Sequence, residues 1–466
     1  MLRILLLLIP LINCNSVLQR NYQLFSIIIE DWPCPDRSAV KCSLIDVDFK
    51  VAFEPHLVIY DKTPTGDEVP TFVFQNMLRW EIKGNYLSEY RIKTKGINGY
   101  IIIVHNKYNG FNAFYEINGY KFSIRENHGV LILFQWSVLP THKPANGRTN
   151  DPSVLAKKEE DFLNNIAFCY ESINWVYQTK AYQDEYRFNL LKGVKFNNVV
   201  NVTIAFYIDT KVYQGIGLNN PMGIQLVAAF LTKQLQKAMH VSNIPIQWKI
   251  HCIGFHDTLH KNQTEFLPEL DPAHYLSYYN SFRPGDRIRK SVHSADVAVI
   301  IKRDIGDRDS VAIFNGIQYG KTTIMLKEAF ALGKYNFIRS IGHMIGCGHE
   351  AQSSIGMEPA MFMARSFIMK NGYCGVMASQ VEKTCKSELF FSNPEKKFEG
   401  EPTGHFYANN AIWIRHNRFA LAYAGNEALT CPIGNMYNSD ILDCFISSNY
   451  ADTNCDDSFD DYNNFL

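Results

Sequence analysis

Residues 17 to about 145 alternate short runs of β-branched and aromatic residues with polar turn pairs, and that pattern leaves few folds open. Leu57-Val58-Ile59-Tyr60, Thr71-Phe72-Val73-Phe74, Tyr100 to Val104 and Val130 to Phe134 have strand composition. Asn98-Gly99, Asn109-Gly110 and Asn118-Gly119 lie between them. Asn-Gly is a strong hairpin signal because both residues tolerate positive φ. The segment reads as an all-β module, and the polar stretch from Pro140 to Asp151 reads as its exit.

Ahead of it, Met1-Leu2-Arg3 and the apolar run Ile4 to Ile12 precede Cys14-Asn15-Ser16. That is the layout of a secretory signal peptide, too short to span a bilayer. Of the 11 cysteines, ten remain once Cys14 is removed, an even number that suits an oxidising compartment. No C-x-x-C pair occurs, which argues against zinc ribbons and redox motifs. Cys34 and Cys42 are close enough to bridge one loop. Asn201-Val-Thr203 and Asn262-Gln-Thr264 are glycosylation acceptors if the chain is exported. Acidic and basic residues balance at 46 each, so nothing points to nucleic acid. No later stretch supplies a membrane anchor.

Beyond a charged, helix-leaning stretch from Pro152 to about Lys192 the pattern changes. Val199 to Ile208 is a buried-type strand, Met222 to Met239 is amphipathic, and Ile244 to Ile253 and Asp296 to Ile301 are further strands. Strands alternating with a long helix imply a twisted sheet carrying helices. From Ala428 onward Cys431, Cys444 and Cys455 sit in a small acidic tail.

The chemistry lies in Phe337 to Glu350, F-I-R-S-I-G-H-M-I-G-C-G-H-E. Phe337, Ile338, Ile341, Met344 and Ile345 recur at helical spacing and define a buried face. Arg339 and His343 are four apart and stack on another flank. Gly346 can take the left-handed conformation that ends the helix and turns the chain, bringing His349 back toward His343. Three-histidine metal sites use this arrangement. Downstream, Tyr373-Cys-Gly-Val-Met377-Ala378 has the form of a tight turn carrying a methionine. Phe391-Ser-Asn-Pro394, Gly400-Glu-Pro-Thr-Gly404 and Asn409-Asn-Ala411 follow it in order.

Together these segments resemble the reprolysin-like (adamalysin-type) metzincin metalloendopeptidases, with arthropod salivary and venom proteases nearest in character, over roughly residues 196–427. The upstream β module is similar to their propeptide region, notably at Tyr120-Lys-Phe-Ser-Ile124. The family motif is H-E-x-x-H-x-x-G-x-x-H, and the resemblance implies Zn²⁺ at the positions of Arg339, His343 and His349, a water-activating Glu at Ser340, and a methionine beneath the metal at Met377. Two of those positions have changed. Arginine keeps its proton and offers no lone pair. Its charge at ~4 Å from a dication, in an effective dielectric near ~20, costs about 8 kcal/mol. That is comparable with much of the about 10–16 kcal/mol that holds ordinary structural zinc. Ser340 is no base near neutral pH. No catalytic residue is therefore assigned, and His343 and His349 are remnant ligands with Gly346 and Met377 structural. Arg339 is expected to pair with a carboxylate such as Glu350 or with His343, or else to extend to water. Cys347 is expected in a disulfide with Cys374 or Cys385.

Two other signals are set aside. His256 and His260 have metal-like spacing in a polar stretch, and Gly316 to Thr322 imitates a phosphate loop one residue short. The expectation is a chain of five parts: a signal peptide (1–16), a β-rich propeptide-like module (17–150), a helical connection (151–195), a reprolysin-like domain (196–428) and a cysteine-containing acidic tail (429–466). Its fold class is expected to be α/β, a metzincin-type twisted mixed sheet with a motif helix and Met-turn behind the β module. The function implied is a secreted, inactive protease homologue whose cleft holds an extracellular protein or peptide, with the edge near Asp309 to Gly316 as the docking strand. No cofactor is expected, with zinc only if some activity remains. Two readings stay open beside it: an active zinc endopeptidase with an altered site, and an inert secreted structural or antigenic protein.

Overall fold

A computed structural model describes residues 22–36, 38–62, 68–92, 97–108, 110–136, 198–255, 295–303, 305, 309–312, 314–319, 322–350, 363–378 and 385–425. The signal peptide, the helical connection, the acidic tail, His256, His260 and Asn262 lie outside them. The chain divides into two compact units.

The first unit carries nine antiparallel strands: β1 (Phe25–Ile29), β2 (Ala39–Val47), β3 (His56–Lys62), β4 (Glu68–Ile82), β5 (Asn85–Ile92), β6 (Gly99–Asn106), β7 (Phe111–Ile117), β8 (Tyr120–Asn127) and β9 (Val130–Trp136). They pair in the order β1-β2-β9-β8-β7-β6-β5-β4-β3. The sheet curls until its ends meet: Val58 N–H donates to the Tyr22 carbonyl at 2.8 Å, and the Leu24 N–H donates to the Val58 carbonyl at 3.1 Å. This single bridge, Gln23 to Val58, covers part of the free edge of β3, the kind of edge that invites aggregation. Alternate residues point inward, so Leu57 and Ile59, Ile101 and Ile103, and Ala113 and Tyr115 share one interior cluster. One end is plugged by the turn between β2 and β3, where Val51 and Ala52 are buried in that cluster. Tyr90 Oη fixes the plug by donating to the Ala52 carbonyl at 2.8 Å.

The hairpins explain the long strands. Lys83-Gly84, Asn118-Gly119 and His128-Gly129 all have positive φ at both residues, the two-residue geometry that matches strand twist. Only Asn118-Gly119 was visible as an Asn-Gly signal. Asn98-Gly99 is no such turn. Gly99 opens β6, where an added Cβ would come within 2.7 Å of the Glu116 carbonyl oxygen. A glycine demanded by close backbone approach had the sequence signature of a turn.

The second unit holds a five-stranded sheet of β10 (Val200–Ile208), β11 (Ile246–Phe255), β12 (Val297–Lys302), β13 (Ser310–Ala312) and β14 (Thr323–Lys327), in the order β11-β10-β12-β14-β13. Three of its four pairings are parallel, and β13 runs antiparallel to β14. Helices α1 (Pro221–Val241), α2 (Lys334–Ile345) and α3 (Asn410–Ala422) belong to the same stretch of chain.

The α/β class expected from the sequence is overturned. Among the described residues 44% are strand and 23% helix, and a curled nine-stranded antiparallel sheet dominates. Strand–helix alternation after residue 199 points to α/β, but the N-terminal module outweighs it, because hairpins with Lys-Gly and His-Gly turns carry strands as long as the fifteen residues of β4.

Candidate functional site

Helix α2 buries Phe337, Ile338, Ile341, Met344 and Ile345 completely. It ends at Gly346, whose φ of 103° is left-handed. The Gly346 and Cys347 N–H groups both return to the Gly342 carbonyl, at 3.1 and 2.9 Å, satisfying acceptors that a helix end would leave open. Trp413 of α3 covers another, donating Nε1–H to the Ile345 carbonyl at 2.6 Å. The reversal at Gly346 places the His343 and His349 rings 4.8 Å apart and nearly perpendicular, at 83°. Both are buried.

The ring tautomers follow from their partners. His343 Nδ1 lies 3.0 Å from the Cys347 carbonyl and His349 Nδ1 lies 2.6 Å from the Met377 carbonyl. A carbonyl only accepts, so each Nδ1 carries the proton and each Nε2 carries the lone pair. That is the form in which imidazole binds a metal.

Arg339 sits one helical turn before His343 and is half-buried. It donates Nε–H to the Val376 carbonyl at 3.0 Å and Nη2–H to the Ala378 carbonyl at 2.9 Å. Together with His349, it takes three successive carbonyls of the Met377 turn, at residues 376, 377 and 378. These two acceptors are backbone carbonyls, which leave no trace in a sequence. The turn is tied to α2 through packing as well. A methyl added at Gly342 would overlap the Met377 sulfur and lie 3.1 Å from Phe391 Cε1.

Ser340, in the general-base position, is buried and donates to the Ser310 hydroxyl at 2.8 Å. It therefore connects α2 to β13, the strand at the sheet edge. Neither hydroxyl is a base near neutral pH without a partner that takes its proton.

The downstream segments join one network around Ser242 at the end of α1. Phe391 N–H donates to Ser242 Oγ at 2.7 Å, and Asn393 Nδ2 donates to the Ser242 carbonyl at 2.8 Å. Thr403 Oγ1 donates to the Asn393 carbonyl at 2.8 Å, and Asn409 Oδ1 caps α3 by accepting from Ile412 N–H at 3.0 Å. Asn201 is exposed in β10, while Thr203 of the same triplet bonds Asp296 Oδ2 at 2.9 Å.

The disulfide expected for Cys347 does not form. Cys374 pairs with Cys385 and closes a loop beside the turn, and Cys34 pairs with Cys42. Cys347 is a buried thiol directed at the Asn410 carbonyl, 3.9 Å away. Burial pushes its pKa well above the ordinary thiol value, so it is no nucleophile.

A catalytic zinc site needs three protein ligands and an open position. His343 and His349 supply two nitrogen donors, and Arg339 supplies a cation where the third would be. Among the described residues no group of three His, Cys, Asp or Glu side chains could hold a metal ion. The residues present do not fit the zinc that the motif implies.

No family model and no curated protein matches the sequence. Solved structures show faint similarity, two of them as follows. One is a chaperone–substrate complex, at 14% identity and a TM-score of 0.37, covering 49% of this chain and 36% of that one. The other is metalloproteinase-II from Bacteroides fragilis, at 10% identity and a TM-score of 0.27, covering 66% of this chain and 85% of that one. The chain thus spans about a third of the first of these. Similarities at these scores carry no argument about this chain.

Proposed function

We propose that the chain is an exported, catalytically inactive homologue of reprolysin-like metalloproteases, retained as a binding protein for an extracellular peptide or protein segment. One observation carries the reading: the Arg339 guanidinium bridges the Val376 and Ala378 carbonyls from the position where a third imidazole would serve a metal. The two histidines and the Met377 turn remain in register around it, while the base position has become a serine bonded to Ser310. With serine where the motif has its carboxylate and arginine where it has its third imidazole, the cluster lacks two of the groups by which the family activates water against an amide.

Export is supported by the two disulfides, since such bonds persist in oxidising compartments. Among the described residues no helix is long and apolar enough to cross a membrane. Asn201, exposed in β10, is the proposed acceptor of a glycan on the exported chain. Strand β13 is the proposed docking edge, because an edge strand offers backbone groups to an extended peptide. Ser340 holds that edge to α2.

The test is incubation of the purified chain with gelatin and casein, with and without a chelator. No chelator-sensitive cleavage is expected. Cleavage that a chelator abolishes would instead establish an active enzyme with an altered metal site.

A further inference from the structure

The first unit contains a site of its own. At the end of the barrel opposite the Val51–Ala52 plug, the inward positions of seven strands surround a cavity of about 490 Å³. Ligand pockets commonly span about 300–1,000 Å³, and a barrel of roughly eight strands leaves room for one small ligand. The walls are Phe25, Phe72, Tyr115, Ile117, Phe122 and Leu133. Tyr115 and Phe122 stack at 4.6 Å and 11°, and Phe25 leans on Tyr115 at 6.3 Å, so one side is a continuous aromatic surface.

The cavity has a specific cause. Below it, inward residues such as Leu57, Phe74, Ile101 and Phe111 meet and fill the interior. At the mouth the inward positions of β2 and β9 are Lys41, Ser43 and Gln135. The serine is small, and the other two extend toward water, so the apolar layer is left incomplete. Ser43 is itself 5% exposed, a hydroxyl set into the wall.

We infer that this mouth binds an uncharged amphiphile, with an aliphatic or aromatic body against Phe25, Tyr115 and Phe122 and a hydroxyl, ester or amide head among Ser43, Gln135 and Tyr120. The rim charges favour a neutral head over an ionic one. Lys41 Nζ lies 3.9 Å from Glu30 Oε2 and 3.4 Å from Asp31 Oδ1, so the cation at the mouth is already balanced by carboxylates. A carboxylate head would meet those acids, and an ammonium head would meet Lys41. This site is independent of the α2 cluster and does not rest on the protease reading.

The test is calorimetric titration of the full chain with 1-lauroylglycerol below its aggregation concentration, with laurate and dodecyltrimethylammonium as charged counterparts. One saturable site per chain is expected for the glyceride, at least ten-fold tighter than for either ion. Gln135→Trp fills the mouth without opening the core and should weaken glyceride binding at least ten-fold. Val40→Trp, at the same end on an exposed outward position, should leave it unchanged. Absence of binding, several non-saturating sites, equal affinity for an ion, or indifference to Gln135→Trp would each overturn the inference.

Discussion

Replacing Arg339 with methionine keeps an unbranched apolar stem and deletes both bonds to the Met377 turn. A hydrogen bond from a charged donor is worth about 1.5–3 kcal/mol, so two independent ones would be worth about 3–6 kcal/mol. They share one half-buried side chain, and water can reach part of the vacated position. The lower end, about 3 kcal/mol, is therefore expected. Because the chain has two units, a single global melting curve would mix them. Native-state hydrogen exchange on peptides covering 363–378 reads the turn directly. A loss of about 3 kcal/mol corresponds to roughly 150-fold faster opening, at 1.36 kcal/mol per tenfold. Lysine at the same position, a point charge without the guanidinium fork, should recover about half of the loss in free energy. Exchange within about threefold of wild type in Arg339→Met would show that the two bonds hold nothing, and the argument for a guanidinium replacing the metal would fail with them.

Other perturbations reach other parts of the chain. Gly342→Ala should destabilise the second unit by about 1–3 kcal/mol through overlap with Met377, and Met377→Ala in the same chain should relieve part of that cost in a double-mutant cycle. His105 is buried beneath Phe53 and Tyr86, at ring separations of 4.6 and 4.9 Å. Burial first, and then Arg79, lowers its pKa from 6.5 to about 4. The unfolded chain therefore takes up a proton between pH 6.5 and 4 that the folded barrel refuses, so stability present above pH 6.5 falls as pH drops through that window, by about 3 kcal/mol. His105→Phe should remove that part of the acid sensitivity in urea titrations at pH 7 and pH 4; equal acid sensitivity in the two proteins would refute it. Cys347 should stay unlabelled by iodoacetamide in the native chain and react after unfolding, as read by peptide mass spectrometry, because burial keeps its thiol protonated.

What the sequence made legible was local. The apolar face of α2, the reversal at Gly346 and the approach of His343 to His349 all follow from side-chain spacing on a helix and the conformational freedom of one glycine. The spans of β10, β11, β12 and α1 were readable from burial patterns to within a few residues. Pairings between distant backbone atoms were not legible. Two acceptors of Arg339 are the Val376 and Ala378 carbonyls, which any residue supplies. The closure of the barrel depends on Tyr22 and Leu24 meeting Val58, a contact with no compositional mark. The balance of fold class was misread because Lys83-Gly84 and His128-Gly129 form hairpin turns without an asparagine to announce them. Cys347 was assigned a disulfide partner from its neighbourhood in sequence, whereas Cys374 and Cys385 close their own loop.

The central claim is that a bonded guanidinium occupies the position where the motif implies a metal ligand. Its most direct test is the zinc content of the purified chain after equilibration with micromolar Zn²⁺ and removal of excess, measured by elemental analysis beside Arg339→His/Ser340→Glu. The account predicts far less than one zinc per wild-type chain, and zinc uptake in the double variant, where an imidazole replaces the cation to complete a set of three and a carboxylate replaces the hydroxyl. Close to one zinc per wild-type chain, bound at His343 and His349, would contradict it.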